Sequence, residues 1–403
     1  MKSVLSLMLF GFIVIGCRAQ EPRPFNADSR AQSGQTALPH DLQVLVRKHL
    51  QQEWLENTEP TQIVVNIDAR MELLTIIFRL AGAPEFVGNG FASYAALVDE
   101  RFRPYSEHEA VTFARRMREE IGVGADGVAT LAAHLSPPPM LETPESFSKT
   151  AVHGRWRSAD AMAFAALAKD FARESNYSEF FDESRPIYEL AALRMRKLVQ
   201  QEIEPKWFAE YFGERPNSSM QVALGLLNGN ISLGFDAKQA GQPDILFAVM
   251  GIWLFDENNL PMFDESFTPI LVHEFCHSFV DPAIVKRTAD LEAAGIALQT
   301  VLAKYLPKMG QYYWRTLIEE TLVRAAVARY LLLYNGADAA REELARQVEN
   351  GFVWIDNVYA LLEEYEQNRN MFTTFEHFLP DIINFFNRLP DQLPAIVEAI
   401  EHR

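Results

Sequence analysis

Cysteine is nearly missing from this chain: its 403 residues include two, Cys17 and Cys276. No spacing of paired cysteines exists to read as a disulfide framework or a thiolate zinc site, so the fold must be held by its core. Basic charge is also scarce. Thirty-seven Lys and Arg stand against 54 Asp and Glu, a net charge of −17 at pH 7. That balance argues against a nucleic-acid partner and against an electrostatic grip on anionic lipid. Apolar material is not short, since 48% of residues are hydrophobic and 28 are Phe, enough for a sizeable core. The length fits one large domain or two interlocked halves.

The N-terminus carries a signal. Met1-Lys2 precedes SVLSLMLFGFIVIG, an apolar stretch too short to span a bilayer comfortably and built like an export signal, which is expected over 1–16. Val14-Ile15-Gly16-Cys17 resembles the bacterial lipobox. That resemblance implies diacylation of Cys17 and lasting attachment to a membrane of the bacterial cell envelope, with membrane contact through the anchor alone. An ordinary signal peptide with an incidental cysteine is the alternative. Residues 18–38 are polar with no apolar period, so 17–38 reads as lipidated cysteine and flexible tether.

Helical spacing begins near His40 (DLQVLVRKHLQQEWLE), and QIVVNID at 62–68 reads as a strand. Helices are expected over 69–82, ended by Gly82, over 107–120 and over 126–135. A helix follows with Ser158 as N-cap, then a long one from 186 to 213 interrupted at Pro205. SMQVALGLL and ISLGFDA flank Asn228-Gly229-Asn230, a hairpin signal, and DILFAVMGIWLF at 244–255 is a further strand candidate. From 267 onward the pattern predicts helices at 267–281, 287–306, 311–335, 338–369 and 374–400. The expectation is an α+β protein, mainly helical, with a small antiparallel sheet. An N-terminal helical region at 39–217 would pack with 218–403 as one unit.

Residues 271–282 read LVHEFCHSFVDP. On a helix, positions i and i+4 share a face, so His273 and His277 can offer both imidazoles to one ion. Glu274 projects beside them, placed to contact water without being a ligand. This is the HExxH arrangement, in which two histidines hold Zn2+ and the glutamate is a general base. Between Glu265 and Asp281 the only formally charged side chain is Glu274. An apolar helix should not carry a lone buried carboxylate, because burying it unpaired is expensive; a cation removes the difficulty. The alternatives are a solvated accidental motif and a hydrogen-bonded His/Glu cluster without metal. Asp281 stands eight residues past His273, about 12 Å along a helix axis, too far to share the ion. With Pro282 after it, Asp281 is expected to close the helix or to orient a histidine from behind.

HEFCHSFVDP, with the later ETLVRA helix, resembles the zincin superfamily in its gluzincin branch. It is more closely similar to an uncharacterised bacterial domain family of exported lipoproteins with an HEFxHSFV core. The specific match covers about 240–335. The resemblance implies a zincin-like fold, with the sheet packed on the HExxH helix among several others, and a third ligand from a glutamate on a second helix. In YYWRTLIEETLVRAAVARYLLLY (312–334) that glutamate is Glu320, with Arg324 four residues on to steady it, or in reserve Glu319; an internal Glu320–Arg324 ion pair without metal is the alternative. The spacing from His277 is longer than in the best-known gluzincins. A zinc-dependent hydrolase follows, a metallopeptidase acting on peptide or protein, with Glu274 as base. The alternative is a non-catalytic, metal-stabilised binding lipoprotein. By the same resemblance, 244–253 occupies the place of the edge strand that pairs with substrate; an ordinary core strand is the equal alternative on sequence. Tyr312, Tyr313, Tyr330 and Arg324 stand near enough in sequence to serve a developing oxyanion, and nothing selects among them. His108 and His134 receive no role.

Overall fold

The computed structural model describes residues 39–54, 62–88, 90–143, 156–238 and 243–401. The expected signal segment, Cys17 and the tether lie outside them. The described residues form a mainly helical α+β structure with one small sheet, and their apolar side chains join in one continuous core. No helix is long and apolar enough to cross a membrane among the described residues.

Local chemistry explains the helix that precedes the sheet's partners. Asp68 accepts from the Arg70 and Met71 backbone N–H groups and so caps Ala69–Leu80, whose Leu73, Leu74, Ile76, Ile77 and Phe78 are buried. The expected N-cap at Ser158 is a correction: Ser158 is the first residue inside the helix Ser158–Glu174, and the cap position, Arg157, makes no side-chain capping bond. The expected single helix over 338–369 is two, Ala337–Glu349 and Ile355–Gln367. Gly351, at φ 98, turns the chain between them, a backbone conformation that side chains resist.

The sheet corrects the expectation more deeply. It is mixed, in the order β1-β2-β4-β3, from β1 (Val64–Asn66), β2 (Ser218–Leu224), β3 (Leu233–Ala237) and β4 (Asp244–Met250). β1 pairs with β2 and β2 with β4 in parallel, and β3 alone runs antiparallel. Asn228-Gly229-Asn230 therefore closes no hairpin, because β4 lies between the strands it was expected to join. The reason is burial. Val222, Ala223 and Leu224 of β2 and Leu246 to Met250 of β4 are buried without alternation, as strands covered on both faces are. Nor is 244–253 an edge strand: β4 is internal, and the edges are β1 and β3.

The motif helix Thr268–Lys286 packs on β3 and β4 on one side and on the helix Trp314–Tyr334 on another. It does not stop at Asp281, as expected, but runs through Pro282. Proline has no N–H, which leaves the Ser278 carbonyl without its helical donor. The Arg215 guanidinium donates to that carbonyl instead, and also bonds Asp236 Oδ2 at 2.9 Å on β3. One side chain thus replaces the missing bond and ties the helix to the sheet.

Candidate metal centre

Successive turns of one helix bring the two imidazoles together. His273 Nε2 and His277 Nε2 stand 3.1 Å apart. Two nitrogen lone pairs at that distance repel unless a proton or a cation lies between them. From the second helix, Glu320 reaches both: Oε2 is 3.5 Å from His273 Nε2 and Oε1 is 3.5 Å from His277 Nε2. A tetrahedral zinc with bonds of about 2.0–2.1 Å separates its ligand atoms by roughly 3.3 Å. The two ring nitrogens and the Glu320 carboxylate, which turns one oxygen to each ring, stand at separations of that size. A donor set of two imidazoles and one carboxylate is also chemically suited to zinc, so these residues fit the ion.

Behind the first imidazole pair, Asp281 accepts at His277 Nδ1, with distances of 3.0 and 3.2 Å to its two oxygens. The reading of Asp281 as a residue that orients a histidine agrees with this contact; the reading of it as the helix end does not. A carboxylate behind a histidine fixes the ring and its tautomer, leaving Nε2 toward the site.

Two carboxyl groups compete for the role of third ligand. Glu274 offers an oxygen that lies within 4.8 Å of a ring nitrogen on each histidine. Glu320 is closer, and their charge states differ. Burial would raise Glu320, but the Arg324 guanidinium and both imidazoles overcome it and hold the group at about 2. Burial pushes Glu274 up to about 8, against the opposing charge of His277. Glu320 is thus held ionised, whereas Glu274 keeps its proton more readily. Burial likewise lowers His273 well below its ordinary value, whereas His277, despite burial, is raised to about 10 by Asp281, Glu320 and Glu274.

Glu319 takes another direction. Its Oε1 is 3.2 Å from Arg315 Nε, and it makes no ion pair with either imidazole among the described residues. Burial, with the Asp281 charge adding to it, raises its carboxyl to about 8. The four groups considered for an oxyanion also separate. Tyr330 donates to the Glu202 carbonyl at 2.8 Å and accepts from the Glu204 N–H at 2.9 Å, away from the histidines. Tyr313 is exposed, beside Arg315. Arg324 is committed to Glu320 and Gln347. Tyr312 is raised to about 12 by burial and by the Glu320 charge.

Residues that sequence reasoning passed over are Arg215, Gly234 and Gln347, each acting through a partner more than 20 positions away. His134 bonds the Thr130 carbonyl through Nδ1, and His108 caps Glu109–Ile121 by accepting from the Ala110 N–H.

The fold and site define a mainly helical protein with a half-buried two-histidine, one-glutamate cluster on two packed helices. The chain belongs to the family described as Domain of unknown function (DUF4932), matched over residues 63–385, a span that includes the sheet and every residue of the cluster. No curated protein and no solved structure matches it.

Proposed function

We propose that this chain is a zinc-dependent hydrolase of gluzincin-like design, a peptidase that cleaves amide bonds with Glu274 as general base. The observation that carries the reading is the triangle of His273, His277 and Glu320, with Glu274 on the same helix as both histidines. His273, His277 and Glu320 would hold zinc. Bound there, the ion supplies a Lewis acid that polarises a carbonyl and makes water nucleophilic near neutral pH.

The remaining chemistry belongs to the chain. Glu274 takes a proton from the attacking water and returns it to the leaving amine. A carboxyl that burial pushes up to about 8 holds a proton readily, and a neighbouring dication favours its ionised form before attack. Asp281 keeps the His277 ring oriented. β3 has one strand neighbour, β4, among the described residues. An extended substrate can add along its other side by main-chain hydrogen bonds, and Gly234 brings that strand against the backbone of Glu274. Export and attachment to the cell envelope through Cys17 are part of the same proposal, and loss of lipid labelling in Cys17→Ser tests that part.

The test of the function is metal analysis of wild type beside Glu274→Gln, with cleavage measured on a peptide library. Zinc is expected in both proteins and cleavage in wild type alone. Wild type full of zinc yet inert toward every peptide would favour a metal-stabilised binding lipoprotein. Wild type without transition metal under replete conditions would end the proposal.

A further inference from the structure

Glu320 is gripped from outside the site by a run of side chains that crosses to another helix. Its Oε2 accepts from Arg324 Nη2 at 2.7 Å, one turn along the same helix. Arg324 Nη1 donates to Gln347 Oε1, also at 2.7 Å, on the helix Ala337–Glu349. Gln347 Nε2 donates in turn to Glu343 Oε1 at 2.5 Å, and Arg346 pairs with the other Glu343 oxygen at 2.5 Å. Gln347 and Glu343 are 4% and 2% exposed, so neither can exchange its partner for bulk water.

The sense of this run is fixed. The amide oxygen of Gln347 must face the guanidinium and its NH2 the carboxylate, since only that arrangement matches donors to acceptors. Arg324 Nε has no hydrogen-bond partner. Among the described residues, the hydrogen bonds that hold this guanidinium are therefore those to Glu320 and Gln347, with the Phe352 ring 4.5 Å from its central carbon. Remove the Gln347 acceptor, and a buried donor is orphaned while a long flexible side chain is freed to turn. Glu320 then loses the partner that holds Oε2. A metal ligand must be fixed within about 0.5 Å to bind well.

We propose that Gln347 is a positioning residue for Glu320: acting through Arg324, it sets the zinc affinity of a site it does not touch. This rests on the reading of His273, His277 and Glu320 as zinc ligands. Helix Ala337–Glu349 is then an outer clamp on the centre, which explains why a buried Gln/Glu pair stands at its core where apolar residues would pack at less cost.

Competition for zinc against a chromophoric chelator, on the purified full chain, tests this. Gln347→Met, close in volume but unable to accept, is expected to weaken zinc binding about 10- to 100-fold, the range of outer partners at metal sites. The exchange Glu343→Gln with Gln347→Glu restores an acceptor for Arg324 and a donor to it, and is expected to return the constant to within about threefold of wild type. Ala340→Gly destabilises the same helix without touching the run of bonds, and should leave zinc binding within about twofold. If Gln347→Met does not fold, Gln347→Asn draws the acceptor back by one methylene and is expected to weaken binding severalfold. An unchanged constant in Gln347→Met or Gln347→Asn overturns the proposal, as does Ala340→Gly weakening zinc as much as they do. A wild type that binds no zinc removes the reading of the site itself, an outcome distinct from a zinc-binding wild type matched by its Gln347 variants.

Discussion

Gly234 meets Glu274 backbone to backbone: a Cβ on residue 234 would stand 1.9 Å from the Glu274 carbonyl oxygen and 2.8 Å from its Cα. No side-chain rotation relieves such an overlap, since both parties are main chain. β3 would have to leave the motif helix, or the helix leave the sheet. Gly234→Ala is therefore expected to destabilise the protein by about 2–4 kcal/mol, at the upper end for overpacking, and to lower zinc occupancy with it. Thermal unfolding and metal content measure the two effects. A variant that unfolds with wild type and keeps full zinc would contradict the close approach.

Pro282 and Arg215 form a testable pair. The guanidinium stands in for an N–H that proline lacks, so supplying the N–H should make the guanidinium less necessary. Arg215→Met alone is expected to cost about 1–3 kcal/mol, the price of an orphaned buried carbonyl and a lost charged bond. In a Pro282→Ala background the cost should fall by about 1 kcal/mol, as a double-mutant cycle in denaturant would measure. Part remains because Arg215 also bonds Asp236. Strict additivity would show that the helix continues past Pro282 for another reason.

The adjacent glutamates should behave oppositely. Glu320 approaches both imidazoles, and Glu320→Gln is expected to weaken zinc at least about 100-fold, beyond the loss from an outer partner. Glu319 faces Arg315, and burial already raises its carboxyl to about 8. Glu319→Gln should keep zinc affinity within about threefold and stability within about 1 kcal/mol. The reverse ranking by chelator competition would make Glu319 the ligand.

How much of this was legible in the sequence depends on the range of the forces involved. Local spacing alone puts His273 and His277 on one face, and capping chemistry sets the start of Ala69–Leu80. The helix Trp314–Tyr334 was readable from its apolar period, and the choice of Glu320 rested on Arg324, a partner one turn away that the structure does place on its carboxylate. What failed was non-local. Asn228-Gly229-Asn230 is a sound hairpin signal, yet β4, later in the chain, inserts beside β2 and overrides it. Pro282 is a sound stop signal, yet Arg215 cancels it from another segment. Gln347 carried no signal at all: a glutamine in an amphipathic helix reads as solvent-facing until its partners are known.

Glu72 makes the last prediction, away from the metal. It is buried, accepts from the Tyr94 hydroxyl at 2.7 Å, and has no cationic partner within ion-pair distance among the described residues. Burial raises its carboxyl to about 7, against the Tyr94 bond that pulls it down. The unfolded chain sheds this proton near pH 4.5, while the folded chain keeps it until about 7. Between those values the folded state binds more protons, so stability falls as pH rises. The contribution is fully present below the unfolded pKa and lost through the folded one, amounting to about 3 kcal/mol. Glu72→Gln removes the titration while keeping the shape. The difference in unfolding free energy, Gln variant minus wild type, should therefore grow by about 3 kcal/mol from about pH 4 to about pH 8, with other titrating groups cancelling. A flat difference across that range would mean that Glu72 is ionised in the folded protein and that burial does not govern it.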